Sequence, residues 1–322
     1  MQLQADYYNS VLKGHTSLDK YLTLVFDNYN TIKLDYAVVK DVFTTFGKIS
    51  QILDKAGCSK GFGEKLKVFC ERMFEKIGSW DKVEDESIDC TLLRPMILGS
   101  LIGCGKEEVI NEGCERYNSG NYSPQMAAVV MKCLLKKDNL AMKKLKDKYR
   151  EMHKIRKNEI SGRKSKILFS SLFYDETALD DAALRAAIRS AMFSQVSSEE
   201  NCNSFMEWML SDKLSGSERG WGLSILPEMS GSNFSNYFSK IFMPNFLKLH
   251  KEYKESQFIF TAIIKSTIGI ISTREELETF LTFIKQNNIK EGNMAVAQAK
   301  DTAVVNIKIL EENGNALKSY FS

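Results

Sequence analysis

The chain has 322 residues, a formal net charge of +3, three histidines and seven cysteines. Its length suits one large domain or two modest ones, and 43% hydrophobic against 26% charged residues describes a globular chain, not a disordered one. Near-balanced charge excludes a whole-chain polyelectrolyte attraction to nucleic acid or membrane, and the scattered His15, His153 and His250 exclude an H-E-x-x-H helix or a paired-histidine zinc site.

Taken in order, the elements are helical. The start, Met1 to Asp6, lacks the basic end and apolar run of a leader. Val39, Val42, Phe43, Phe46, Ile49 and Leu53 step by three and four, which predicts a helix over Leu34 to Leu53. Gly57-Cys58-Ser59-Lys60-Gly61 spells G-x-S-x-G, but a nucleophile elbow needs a strand before the serine; a helix precedes here, so a loop between helices is expected. Gly57, Gly78, Gly105 and Gly120 suit helix ends. Glu84-Asp85-Glu86 reads as solvated first-turn acids. The run Gly99 to Lys106 looks like a phosphate loop, but its first glycine is misplaced and Glu107 follows the lysine, so close helix packing and a helix stop explain it better. Ser123-Pro124 reads as an N-cap with proline at the first helical position.

Leu145, Tyr149, Met152 and Ile155 continue a helical stripe from Met142. Weak breaks fall at Ser197 to Asn203 and Leu214 to Ser232. Phe258 to Ile271 is the most apolar stretch, but it contains Lys265 and is too short to span a bilayer; its β-branched end, Thr267 to Ile271, fits a buried helix. Thr273 with Glu276 reads as a capping box before the stripe Leu277, Phe280, Leu281, Ile284. Val304, Ile307, Leu310 and Leu317 mark a last helix, with Gly314 expected to interrupt it. Helical hairpins at a period of about 35–45 residues predict an all-α fold, an α-solenoid or helical superhelix of HEAT- or armadillo-like hairpins, in a single domain over residues 1–322.

Chemistry-bearing patterns are few. The cysteines form no C-x-x-C and no zinc spacing, which reads as reduced thiols packed as small apolar groups in a cytoplasmic-type chain. The sequons at Asn121 and Asn233 arise by chance at this length and do not argue for secretion. Trp80, Trp208 and Trp221 read as packing anchors. One charge asymmetry stands out: Lys136 to Lys166 holds thirteen Lys and Arg against four acids, or +9, leaving −6 for the remainder. Lys143, Lys146, Arg150, Lys154 and Lys157 share a face opposite the apolar stripe. That face is either a solvated helix surface or an attractor of an anion such as a peptide carboxylate. Nucleic acid is the weakest of the anion readings, because no recognition motif accompanies the run.

Ile77-Gly78-Ser79-Trp80-Asp81, then Asp89 to Gly99 with Leu92-Leu93-Arg94, then Asn111-Glu112-Gly113-Cys114-Glu115-Arg116-Tyr117, resembles the C-terminal helical domain of aminopeptidase N-like zinc aminopeptidases. The likeness is nearest to the puromycin-sensitive and endoplasmic-reticulum branches. It extends to Asp35–Leu53, to Phe242–Tyr253 and to Thr302–Phe321, while Lys154 to Ser215 matches poorly. Ser79 inside the glycine-tryptophan element, Pro244, and Phe246 in place of a tryptophan depart from the pattern.

The resemblance implies a right-handed α-α superhelix forming a concave bowl, a non-catalytic C-terminal domain that closes the active-site chamber and contacts or steers peptide substrates. Its partners would be the catalytic domain of the same polypeptide and peptides, with no membrane. The zinc and the peptide-N-terminus motif would lie in that catalytic domain; this chain would carry no cofactor, no metal and no catalytic residue. Arg94 matches the family's arginine and is expected to be structural, bonding helix-end carbonyls or a carboxylate. The competing reading is a stand-alone helical-repeat interaction scaffold, or the tail of an inactive aminopeptidase homologue.

Overall fold

The computed structural model describes residues 2–28, 34–138, 140–162, 181–194, 199–209, 216–290 and 292–322. Among them every regular element is helical, so the all-α expectation holds. The first helices are α1 (Gln2–Leu12), α2 (Leu18–Asn28), α3 (Tyr36–Lys55) and α4 (Ser59–Ile77). Then come α5 (Ile88–Gly103), α6 (Glu107–Ser119), α7 (Ala127–Lys137), α8 (Ala141–Gly162) and α9 (Asp181–Phe193). The rest are α10 (Glu199–Met209), α11 (Gly216–Met229), α12 (Phe234–Asn236), α13 (Met243–Tyr253), α14 (Gln257–Ile268), α15 (Arg274–Gln286) and α16 (Asn293–Phe321). Successive helices pack on one another, as α5 on α6, α6 on α7 and α13 on α14. The chain forms two compact units, residues 1–69 with 196–322, and residues 70–195. The second boundary lies beside the break at Ser197 to Asn203; the first falls inside α4, where composition marks nothing.

The first unit is organised on α16. Gly314 does not interrupt this helix, which runs unbroken for 29 residues. Glycine costs a helix about 1 kcal/mol, and buried Asn313 and Leu317 on either side outweigh that. The buried residues of α16 are Ala295, Ala299, Ala303, Asn306, Ile307, Ile309, Asn313 and Leu317, while Val304 is exposed. Small residues let neighbouring helices approach, and the two asparagines satisfy backbone groups that packing would orphan. Asn313 Oδ1 accepts the Leu18 N–H at the start of α2 (2.8 Å), and Asn306 Nδ2 donates to the Gly269 (2.8 Å) and Ile271 (3.3 Å) carbonyls after α14.

Asp35 starts α3 by accepting the Val38 N–H at 3.0 Å, and α3 ends at Gly57, whose φ is +72°. Phe46 of α3 meets Phe26 and Phe62 at ring-centroid distances of 5.4 and 5.1 Å. Gly61 is a packing site: a Cβ there would lie 2.8 Å from the Phe321 carbonyl oxygen, while Ser59 bonds Asp54. The G-x-S-x-G string is therefore a helix start pressed by the end of α16.

Pro244 is accommodated because it falls in the first turn of α13, directly after a π-helical turn over Tyr237–Phe242. Phe246 is fully buried among Phe242, Phe280 and Phe283 at 5.4–5.7 Å. Thr273 caps α15 by accepting the Glu276 N–H (3.4 Å), but the Glu276 carboxylate turns elsewhere than in a reciprocal box. It accepts from Thr273 Oγ1 (2.8 Å), Ser235 Oγ (2.7 Å) and Lys55 Nζ (3.0 Å), joining α3, α12 and α15.

The second unit is built from the end of α4 and from α5 to α9, with Leu93, Ile97, Leu98, Ile102, Val130, Met131 and Ile188 buried. Gly113 lets α6 lie on α7: a Cβ there would overlap Cys133 Sγ and stand 3.1 Å from Trp80 Cη2. Gly105, at φ +73°, ends α5, and Lys106 pairs with Glu71 at 2.7 Å, consistent with a helix stop and not with a phosphate loop. Ser123 occupies an N-cap position without a side-chain bond, and Pro124 opens a 3-10 turn that leads into α7. Among the described residues no single helix is long and apolar enough to cross a membrane.

Candidate functional site

The resemblance-bearing segment folds into one charged clamp in the second unit. Ser87 starts α5 by accepting the Cys90 N–H (3.3 Å), which places Arg94 almost two turns inside the helix, pointing back over the preceding loop. Arg94 is 3% exposed. Its Nε donates to the Ser79 carbonyl (2.8 Å), Nη1 donates to Glu86 Oε1 (2.9 Å), and Nη2 pairs with Glu86 Oε2. Glu86 also accepts from Thr91 Oγ1 (2.7 Å) and the Val83 N–H (3.2 Å). The Arg94 hydrogen bonds hold its carboxyl down to about pKa 2, against the opposing effect of burial. Glu86 thus departs from the solvated reading that fits exposed Glu84 and Asp85; its side chain is only 6% exposed. A bidentate arginine fork over a desolvated carboxylate is the strong form of an ion pair.

The next turn of the clamp is aromatic. Trp80 is buried, packs on Gly113, and has the Arg116 guanidinium 5.4 Å from its ring centroid. Arg116 bonds both Asp81 carboxylate oxygens (2.8 and 2.9 Å) and Glu112 (2.6 Å). Tyr117 stacks on Tyr122 at 6.4 Å. Glycine, tryptophan, aspartate and two arginines therefore lock the loop before α5 onto α5 and α6. Every charge in the clamp meets its opposite, so it offers rigidity and no free nucleophile or base.

The basic helix turns out differently from its helical-wheel reading. Lys143 is exposed, as a solvated face requires, but Lys146 is buried at 9% exposure. The expected continuous basic face is therefore broken at its second member. The cause is angular: Lys146 stands only about 60° around the helix from Tyr149, which is fully buried and accepts a hydrogen bond from Arg189 Nη1 of α9 at 2.9 Å. Arg150 pairs with Asp147 (2.9 Å), and Lys144 with Asp138 (2.8 Å). Lys154 and Lys157 fall on the part of α8 whose side chains lie outside the described residues.

The six cysteines whose side chains are described are free thiols: Cys58, Cys70 and Cys133 are buried, and Cys90, Cys104 and Cys114 partly so. Burial pushes the Cys133 thiol up to about 12, which makes it unreactive packing. Trp208 is buried against Phe205, whereas the Trp221 side chain lies outside the described residues. Asn233 is 8% exposed, which closes that sequon to modification; Asn121 is exposed. Among the described residues no group of three or more His, Cys, Asp or Glu could hold a metal ion.

Sequence reasoning expected Arg94 to bond carbonyls or a carboxylate but did not identify which. Glu86 and the Ser79 carbonyl carry little local signal, as does Arg189, the partner of Tyr149; for Arg94 the one available clue was an acid directly before the N-cap serine of the arginine-bearing helix. What emerges is an all-helical domain with a rigid charged clamp. The chain belongs to the family of ERAP1-like C-terminal domains, whose profile matches residues 1–304. It is thus a C-terminal domain of the aminopeptidase N-like enzymes. Comparison with the curated proteins gives no match.

Proposed function

We propose that the chain is the non-catalytic C-terminal domain of a zinc aminopeptidase, and that it closes the active-site chamber and contacts or steers peptide substrates. Family membership over residues 1–304 carries this reading. The family's zinc does not fit the described residues, which present no ligand set, so no step of peptide hydrolysis is assigned to them. Zinc, general base and the site for the peptide's N-terminus belong, in this reading, to the catalytic domain of the same polypeptide. The rigid clamp around Arg94 and Glu86 suits a domain whose work is to hold a surface in place. Exposed Lys143 and Lys148 remain to attract an anionic peptide end by long-range field. A cytoplasmic location and the nearer kinship to the puromycin-sensitive branch belong to the same proposal.

Assaying the purified chain with amino-acid arylamides in the presence of zinc tests the first half. The expected result is no hydrolysis and no stoichiometric zinc; turnover by the chain alone would overturn it. That the chain belongs to a zinc aminopeptidase is tested on the coding sequence upstream of Met1. A catalytic stretch with H-E-x-x-H is expected there, and its absence would leave the scaffold reading standing.

A further inference from the structure

Within the first unit a cavity of about 430 Å3 opens between α1, α3, the turn after α14, and α16. That is many times the space one water needs and falls in the range of small-molecule sites. Its walls are apolar, formed by Leu12, Ile270 and Val305. Water held against such walls is poorly bonded, and an apolar group gains by displacing it.

The polar groups around the cavity define what the occupant carries. Lys48 of α3 and Asp301 of α16 both line it, both are exposed, and neither has an ion pair or hydrogen bond among the described residues. Two opposite, unpaired charges on different helices thus share one small mouth. Deeper in, Tyr8 is 8% exposed, and its hydroxyl has no hydrogen-bond partner among the described residues. Asn306, 7% exposed, spends its Nδ2 on two backbone carbonyls, which leaves its carbonyl oxygen as an acceptor. A fatty carboxylate would use Lys48 and leave Asp301 facing apolar chain; a simple amine would do the reverse. A small molecule with both charges and an apolar body uses both charged groups and the apolar walls.

We propose that this cavity binds a free apolar α-amino acid, with its carboxylate towards Lys48, its ammonium towards Asp301 and its side chain between Leu12, Ile270 and Val305. The inference does not rest on the peptidase reading, because binding is measured on the chain by itself. If both hold, the domain senses the class of product that the parent enzyme releases.

Calorimetric titration of the purified chain with L-leucine and L-phenylalanine tests it. Saturable binding of one molecule per chain is expected. N-acetyl-L-leucine, which lacks the ammonium, L-leucinamide, which lacks the carboxylate, and glycine, which lacks the side chain, are each expected to bind at least about tenfold more weakly. Lys48→Met and Asp301→Asn, both at exposed positions, are expected to weaken L-leucine by a similar factor. Val305→Trp, with its fold checked by circular dichroism, is expected to abolish binding by filling the cavity. No saturable binding up to about 10 mM, undiminished binding of N-acetyl-L-leucine, or undiminished binding to both charge variants would overturn the proposal.

Discussion

The Arg94 clamp and the basic helix α8 present opposite answers to the same local pattern. The clamp lies beside three consecutive acids that look solvated, yet the third, Glu86, is desolvated and gripped by Arg94 and Thr91. Helix α8 carries a run of cations that looks like one continuous face, yet Lys146 is buried while Lys143 is open. In each case the environment is set by a partner one or two elements away: Arg94 on the following helix for Glu86, and α9 packed beside α8 for the lysine face. Charge composition counts charges; tertiary neighbours decide which of them face water.

The largest expected effect strikes the clamp. Arg94→Ala leaves Glu86 buried without its counter-ion and is expected to cost about 3–5 kcal/mol in urea unfolding. Arg94→Lys is expected to recover little, because a point charge cannot reproduce the fork to Glu86 and the bond to the Ser79 carbonyl. Replacing both partners together, Arg94→Met with Glu86→Leu, is expected to cost much less than Arg94→Ala. A double variant as unstable as the single one would mean that the clamp is held by packing and not by charge. Next in size is Gly113→Ala, whose methyl would overlap Cys133 Sγ and crowd Trp80. Overpacking of this kind costs about 1–3 kcal/mol, and Cys133→Ala in the same chain is expected to relieve part of it.

Acid should separate the two regions again. The folded-state pKa of Glu86, about 2, lies below its ordinary 4.5, so its stabilising contribution is complete above about pH 4.5 and is lost as pH falls towards 2. Unfolding monitored between those limits should lose a component in the native chain that is missing in Glu86→Gln. If the two slopes match, the clamp does not hold the Glu86 proton off.

The helices themselves were largely legible. Spacing located α3 and α15, Gly57, Gly78, Gly105 and Gly120 each adopt the positive φ of a helix end, and Thr273 caps α15. Two features escaped for physical reasons. The buried face of α16 holds Ile307 and Leu317, which the spacing found, but also three alanines and two asparagines, so a search for large apolar residues missed those and took exposed Val304 as part of it. Glycine's helix penalty also predicted a break at Gly314, but tertiary packing on both sides exceeds that penalty. The clamp was half legible, since Arg94 stood in a recognisable run, whereas its carboxylate partner lay in a loop whose path no periodicity describes. The cavity beside Tyr8 and Asn306 had no signature, because its lining comes from four separate stretches of chain.

The smallest expected effect is the one that best sharpens the contrast. Lys143→Ala and Lys148→Ala remove exposed cations and are expected to change stability by less than about 0.5 kcal/mol. Lys146→Ala, one turn away on the same helix, removes a stem that is only 9% exposed and should cost more than either. If all three behave alike, the burial of Lys146 has no energetic weight. In the parent enzyme the ranking should invert. Steering acts through water, so the exposed pair Lys143 and Lys148 should raise KM for long peptides when both are replaced, and that rise should shrink as ionic strength increases. A KM that is unchanged at low salt would remove α8 from substrate capture and leave it a packing helix with a solvated edge.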